Sequence, residues 1–174
     1  MKNLDPTGLK RLHRDWRRKT TQRVSLLLDS VQTPYNVGTI LRTSAALGVD
    51  HLWLAGATES PTHNKTNKTA MGTQRYVTWT VVEDPAQAIA EARADGYGIV
   101  GVELADDALP LHELTLSTDV CLVVGHEDRG LSKTALAACD SVGYIPQVGK
   151  VGSLNVGVAA SIAVAEVRRQ GWTA

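Results

Sequence analysis

An α/β fold, a mainly parallel sheet flanked by helices, is predicted by three observations on this sequence. Short β-branched or apolar runs at 24–29, 51–55, 76–82, 99–104, 120–124 and 142–145 alternate with helix-patterned segments, as βαβ units require. Gly48 and Pro85 stand where a helix should stop and where one should start. At three strand-to-helix junctions, 36–43, 124–132 and 145–161, glycines gather with polar side chains. Three such corners in one small domain point to a site.

The chain of 174 residues is most simply one domain, long enough to bury roughly 70% of its unfolded surface. Cys121 and Cys139 read as buried reduced thiols. No zinc spacing occurs, so no metal is expected. With no apolar leader and no run approaching a membrane span, a cytoplasmic location without membrane contact follows. The net charge of zero hides an asymmetry: residues 1–23 carry eight lysines and arginines against two aspartates, a net +6, which leaves −6 for the rest. A basic arm on an acidic body is the footprint of a nucleic-acid contact; Arg11, Arg14, Arg17 and Arg18 are its candidates.

The arm, 1–23, repeats Leu9, Leu12 and Trp16 on one helical face, which predicts a short helix docked on the body. A buried strand over 24–29 and a turn at 33–36 lead to a helix over 37–47. Gly38 in its first turn costs about 1 kcal/mol against Ala, so something must approach that backbone closely. After the strand at 51–55, the polar stretch 56–67 reads as a mobile basic loop flanking the site, with Lys65 and Lys68 as further nucleic-acid contacts. Its Asn-x-Thr triplets match glycosylation acceptors, a match that is empty without a secretion signal.

A strand over 76–82 precedes a helix from Pro85 to about 95. Residues 96–101 spell G-x-G-x-x-G, but these glycines end a helix and open a strand, whereas a dinucleotide site needs the reverse. A loop around 106–110 leads to 120–124, the most apolar strand, and a helix over 133–139. The strand at 142–145 is stopped by Pro146. A loop holding Gly149 and Gly152 then runs to Ser153, which stands where an N-cap belongs. The last helix, to about Arg169, is apolar nearly all round and must be covered on two sides, which predicts a twofold homodimer.

Together the three corners resemble the motifs of the SpoU-type RNA ribose methyltransferases of the SPOUT superfamily. Motif one resembles Asn36, Val37 and Gly38 with Arg42; motif two resembles Gly125, Glu127, Gly130, Leu131 and Ser132. Motif three resembles Ile145, Pro146, Gly149, Ser153, Leu154 and Asn155. The match covers about 24–169, with two departures: Gln147 where the family often has Met, and Gly157 where Ser is common.

The resemblance implies a methyltransferase domain over 24–174 with a C-terminal deep trefoil knot whose loops grip S-adenosylmethionine. It also implies a homodimer with the active site at the interface, and methyl transfer to a ribose 2′-hydroxyl. It assigns Leu104, Val124, Gly125, Glu127, Gly130, Ile145, Val148, Ser153 and Leu154 to the cofactor. Arg42, tied in the family to activating the hydroxyl, is a poor base because a guanidinium keeps its proton and has no lone pair to offer; a guanidinium gripping phosphate and stabilising the alkoxide fits better. Asn36 and Asn155 would orient ribose and loop backbones, Ser153 would cap and touch substrate, and Glu127 would fix the knot loop. His126 reads as an exposed bystander and the rival base. Ribosomal-RNA relatives often carry a separate N-terminal domain, whereas only some twenty-three residues precede the first strand here, so tRNA is favoured over rRNA. The alternatives are rRNA, or a catalytically silent RNA-binding homologue.

Overall fold

The computed structural model describes residues 1–173. Seven strands form one sheet: β1 Val24–Asp29, β2 His51–Ala55, β3 Thr78–Val82, β4 Gly98–Val102, β5 Leu109–Pro110, β6 Val120–Val124 and β7 Ser141–Tyr144. Their order is β3-β2-β1-β6-β4-β7-β5, and every neighbouring pair is parallel. The helices are α1 Pro6–Lys19, α2 Pro34–Leu47, α3 Asn64–Ala70, α4 Pro85–Ala94, α5 Lys133–Ala138 and α6 Val156–Thr173.

Side chains of a strand alternate between faces, and each face here is covered by helices. Leu26 and Leu28 of β1, with Leu122 and Val124 of β6, join Ile40 and Leu41 of α2 and Ala163, Val164 and Val167 of α6 in one core. Leu27, Trp53, Cys121 and Val123 point the other way, into a second core with Ala88, Ile89 and Ala92 of α4 and Ala135 of α5. Strands buried on both faces read as continuous apolar runs, and β6 is buried throughout. Both cysteines are free thiols.

Several boundaries differ from the sequence expectation: β4 ends at Val102 rather than 104, and the loop expected around 106–110 contains β5. Helix α2 starts at Pro34, not 37, because a proline is suited to the first helical position. The supposed loop at 56–67 ends in α3, with Thr66 and Ala70 buried. A 3₁₀ turn over Thr73–Tyr76 delays β3 to Thr78. Helix α6 starts at Val156, and Asn155 caps it: its Oδ1 accepts from the N–H groups of Gly157 at 2.9 Å and Val158 at 3.3 Å. Ser153 is therefore not the cap.

Two sequence puzzles resolve here. The close approach at Gly38 comes from α3, since a Cβ on Gly38 would lie 2.6 Å from the Cβ of Thr69 and 2.8 Å from the Thr66 carbonyl oxygen. The arm forms a helix as expected, but its stripe is only partly covered: Leu9, Leu12 and Trp16 stay 43–44% exposed. Its tie to the body is Trp16, whose ring lies 4.7 Å from that of Trp172, and Thr20, whose hydroxyl accepts from the Trp172 indole N–H at 2.8 Å. One turn earlier on α6, the buried Arg168 donates to the carbonyls of Leu47, Gly48 and Gln22, clamping α6 onto the C-terminus of α2.

Candidate active site

A cleft of about 360 Å³ opens at the carboxyl ends of β4, β6 and β7, where open α/β sheets place ligands. Residues 102–104, 124–130, 144–145, 147, 152–154, 156 and 159 line it. The candidates Leu104, Val124, Gly125, Glu127, Gly130, Ile145, Ser153 and Leu154 are all on its wall. Val148 is not: it stands at the loop tip, fully exposed.

Motif two owes its shape to backbone crowding. His126 and Gly130 exchange both backbone hydrogen bonds at 2.9 Å, closing a tight ring from which residues 127–129 project. A Cβ on Gly125 would lie 2.2 Å from the Gly130 carbonyl carbon, so only glycine fits. Glu103, which the sequence did not single out, braces this ring: its carboxylate accepts from the N–H groups of Leu104 and Leu131, each at 2.9 Å. The Leu104 N–H is thereby used within the chain. His126 is half-buried on the cleft wall rather than an exposed bystander, and its Nδ1 accepts from the Asp128 N–H at 3.0 Å. That bond leaves the ring proton of neutral His126 on Nε2.

The three motifs meet in one hydrogen-bonded chain. Asn155 Nδ2 donates to Asn36 Oδ1 at 2.8 Å, and Asn36 Nδ2 donates to Glu127 Oε1 at 2.8 Å. Glu127 also accepts from the Thr33 N–H at 2.9 Å and the Gln32 N–H at 3.2 Å. Burial acts to raise the pKa of Glu127, but the hydrogen bonds from Asn36 and the Thr33 backbone prevail and lower it to about 2. The carboxylate is a fixed anion that pins the starts of α2 and α6 to the motif-two ring.

Arg42 is not in this group. It lies six residues beyond Asn36 on α2, about 9 Å along the helix and on another face. There it lines a separate open hollow of about 350 Å³ with Tyr35, Thr39, Thr43, Ala46 and Thr69, and its Nη1 donates to Met71 Sδ at 2.9 Å. Lys65 and Lys68 are exposed on α3, the helix that supplies Thr69 to this hollow. Arg11, Arg14, Arg17 and Arg18 are exposed on α1.

The model of the SpoU rRNA Methylase family matches residues 23–165. The chain belongs to the SpoU rRNA Methylase family. Among curated relatives, the 23S rRNA (guanosine-2′-O-)-methyltransferase RlmB of Acinetobacter baylyi is 35% identical over 150 residues, covering 86% of this chain and 60% of its own length. The chain thus spans about 60% of the length of the curated relatives it matches. The AdoMet-bound rRNA methyltransferase of Sinorhizobium meliloti superposes with a TM-score of 0.80 at 30% identity, over 85% of this chain and 56% of that one. The TrmH/SpoU tRNA modifying enzyme of A. aeolicus gives 0.77 at 29% identity, over 93% and 83%. No helix among the described residues is long and apolar enough to cross a membrane.

Proposed function

We propose that this SpoU-family chain is an S-adenosylmethionine-dependent methyltransferase acting on an RNA ribose 2′-hydroxyl, as a cytoplasmic homodimer. The observation that carries the reading is the Asn36–Glu127–Asn155 chain, in which side chains from all three motifs are joined beside the cleft. The cleft fits the methyl donor. Its volume is that of a small-molecule site, Glu103, Glu127 and Asp128 on its wall favour a cation, and the screened Oε1 of Gln147 has no partner among the described residues. Backbone at Leu104, Gly125, Ile145 and Leu154 would hold the donor, with Ser153 beside it, and the bound group supplies an activated methyl.

The chain's own residues divide the remaining tasks. Glu127, with a pKa of about 2, holds a proton poorly at neutral pH and serves to position Asn36 and the motif-two ring. With Nδ1 of His126 accepting from the Asp128 N–H, the neutral ring carries its hydrogen on Nε2, so in this arrangement that nitrogen donates rather than accepts. Arg42 grips the RNA phosphate and stabilises the developing alkoxide by charge.

Because Arg42 faces a hollow apart from its own cleft, we assign it to the cleft of a second copy. The exposed Val158 and Ile162 of α6 support that interface, and the Thr43–Ser161 hydrogen bond of 2.8 Å places the hollow beside α6. The arm at 1–23 and α3 would add sequence-blind phosphate affinity. We also infer the trefoil knot. In its support, β7 lies between β4 and β5 in the sheet although β4 and β5 are consecutive in the chain, the placement a threaded C-terminal segment would take.

Transfer RNA is the favoured substrate, since the tRNA modifying enzyme of A. aeolicus is matched over 83% of its own length; the RlmB relative favours 23S rRNA. Labelled methyl transfer to purified tRNA and rRNA, followed by nuclease mapping, decides between them. The tRNA reading predicts label at a ribose 2′-oxygen of tRNA; label on rRNA alone overturns it, and no label on either RNA overturns the reaction.

A further inference from the structure

Gln147 carries a solvent-screened side-chain oxygen on the cleft wall that no group among the described residues satisfies. It lines the cleft between Ile145 and Gly152, on the loop that follows β7. Its Oε1 is screened from solvent and meets no donor among the described residues. Glu103, Glu127 and Asn155 nearby are engaged, Glu103 by Leu104 and Leu131, Glu127 by Asn36 and Thr33, Asn155 by Gly157. A screened, unpaired amide oxygen costs free energy, and an apolar side chain of similar length would fill the same space without that cost. The amide is therefore matched to a ligand that brings a donor. A carboxamide presents one acceptor and one donor edge side by side, complementary to the amino group and N7 of adenine.

We propose that Gln147 reads the adenine edge of the methyl donor and so sets the purine specificity of the cleft. This rests on the methyl-donor reading above. Contact runs from the adenine amine to Oε1, with Nε2 free to donate to the adjacent ring nitrogen. Ligands whose purine lacks the amine leave Oε1 unpaired and bind more weakly.

The test is calorimetric and needs no turnover. S-adenosylhomocysteine is titrated against its analogue in which hydrogen replaces the adenine amine, into wild type, Gln147→Leu and Gln147→Asn. Wild type is expected to prefer the adenine form at least about fivefold, and both variants to bind the two ligands within about twofold of each other. Thermal melting of each variant establishes that the fold is intact, and Gln147→Asn keeps an amide should the leucine disturb the loop. A fivefold preference that survives in both variants overturns the proposal, as does a wild type that does not discriminate. A wild type that binds neither ligand overturns the methyl-donor reading itself, which is a different and recognisable result.

Discussion

Glu127 is a carboxylate whose hydrogen bonds matter more than its basicity, and that gives it a pH signature. Its pKa is lowered from 4.5 to about 2 on folding, so its stabilising contribution is complete above about pH 4.5 and is lost as pH falls towards 2. Glu127→Gln should flatten the acid limb of the stability profile in that window. It should also lower the melting temperature at pH 7 by about 2–4 °C, because an amide N–H₂ would confront the Thr33 and Asn36 donors. An unchanged acid limb in urea titrations from pH 2 to 5 would sink the assignment. Arg42→Ala should reduce kcat by about 10²–10³ while S-adenosylhomocysteine affinity stays within about threefold; parallel loss of both in calorimetry and transfer assays would place Arg42 in the ligand cleft instead. Motif spacing made Asn36, Glu127 and Asn155 legible before any coordinates, since polar residues among glycines at strand-to-helix corners have few structural uses. Glu103 was not legible, because its partners are the backbone N–H groups of Leu104 and Leu131, and backbone partners leave no trace in side-chain patterns.

At the scale of elements, every α/β strand but the shortest could be read from β-branched runs, while α3 could not. Its sequence, Asn64 to Ala70, is polar with one apolar residue, and it is helical because Thr66 and Ala70 pack on α2 rather than from any stripe of its own. The glycine at 38 is what lets α3 approach. Gly38→Ala gains about 1 kcal/mol of helix propensity but places a Cβ 2.6 Å from Thr69 and 2.8 Å from the Thr66 carbonyl, overpacking that typically costs 1–3 kcal/mol. The net expectation is a melting temperature lower by about 2–4 °C in scanning calorimetry; a value equal to or above wild type would mean α3 yields freely. The arm illustrates the opposite error. Its apolar period correctly gave a helix, yet periodicity cannot tell how far a stripe is covered, and here Trp16 meets Trp172 while Leu9 and Leu12 remain open. Replacing Arg11, Arg14, Arg17 and Arg18 with alanine should weaken RNA binding and reduce the slope of log K against log salt by about 3. An unchanged slope in filter binding across salt would remove α1 from the RNA interface.

For the whole molecule, the decisive fact is that the chain holds two openings with no lining residue in common, a cleft with the motif-two ring and a hollow with Arg42, which the proposed dimer would join into one site. Both ends of the α2 and α6 pair are locked, by Asn36 and Asn155 at one and Arg168 at the other, so no hinge between these helices could swing Arg42 into its own cleft. A twofold interface joins the halves if it is built on α6, whose buried side carries Ala160, Ala163, Val164 and Val167 and whose open side carries Val158 and Ile162. The near-continuous apolar character of that helix, legible in sequence, makes sense only with both sides covered. Val158→Glu combined with Ile162→Glu places charges on the open side without touching the core. The double variant should sediment as a monomer, retain S-adenosylhomocysteine binding in its intact cleft, and lose methyl transfer by at least about 10²-fold, because the guanidinium no longer reaches the reacting oxygen. Mixing Arg42→Ala with a variant whose cleft is blocked, Gly152→Trp, where an added Cβ meets nothing within 4 Å, supplies the complementary measurement: subunit exchange should restore up to about a quarter of wild-type activity per total dimer site. Monomers that still transfer methyl groups, or mixtures that never regain activity despite forming heterodimers, would return Arg42 to its own subunit.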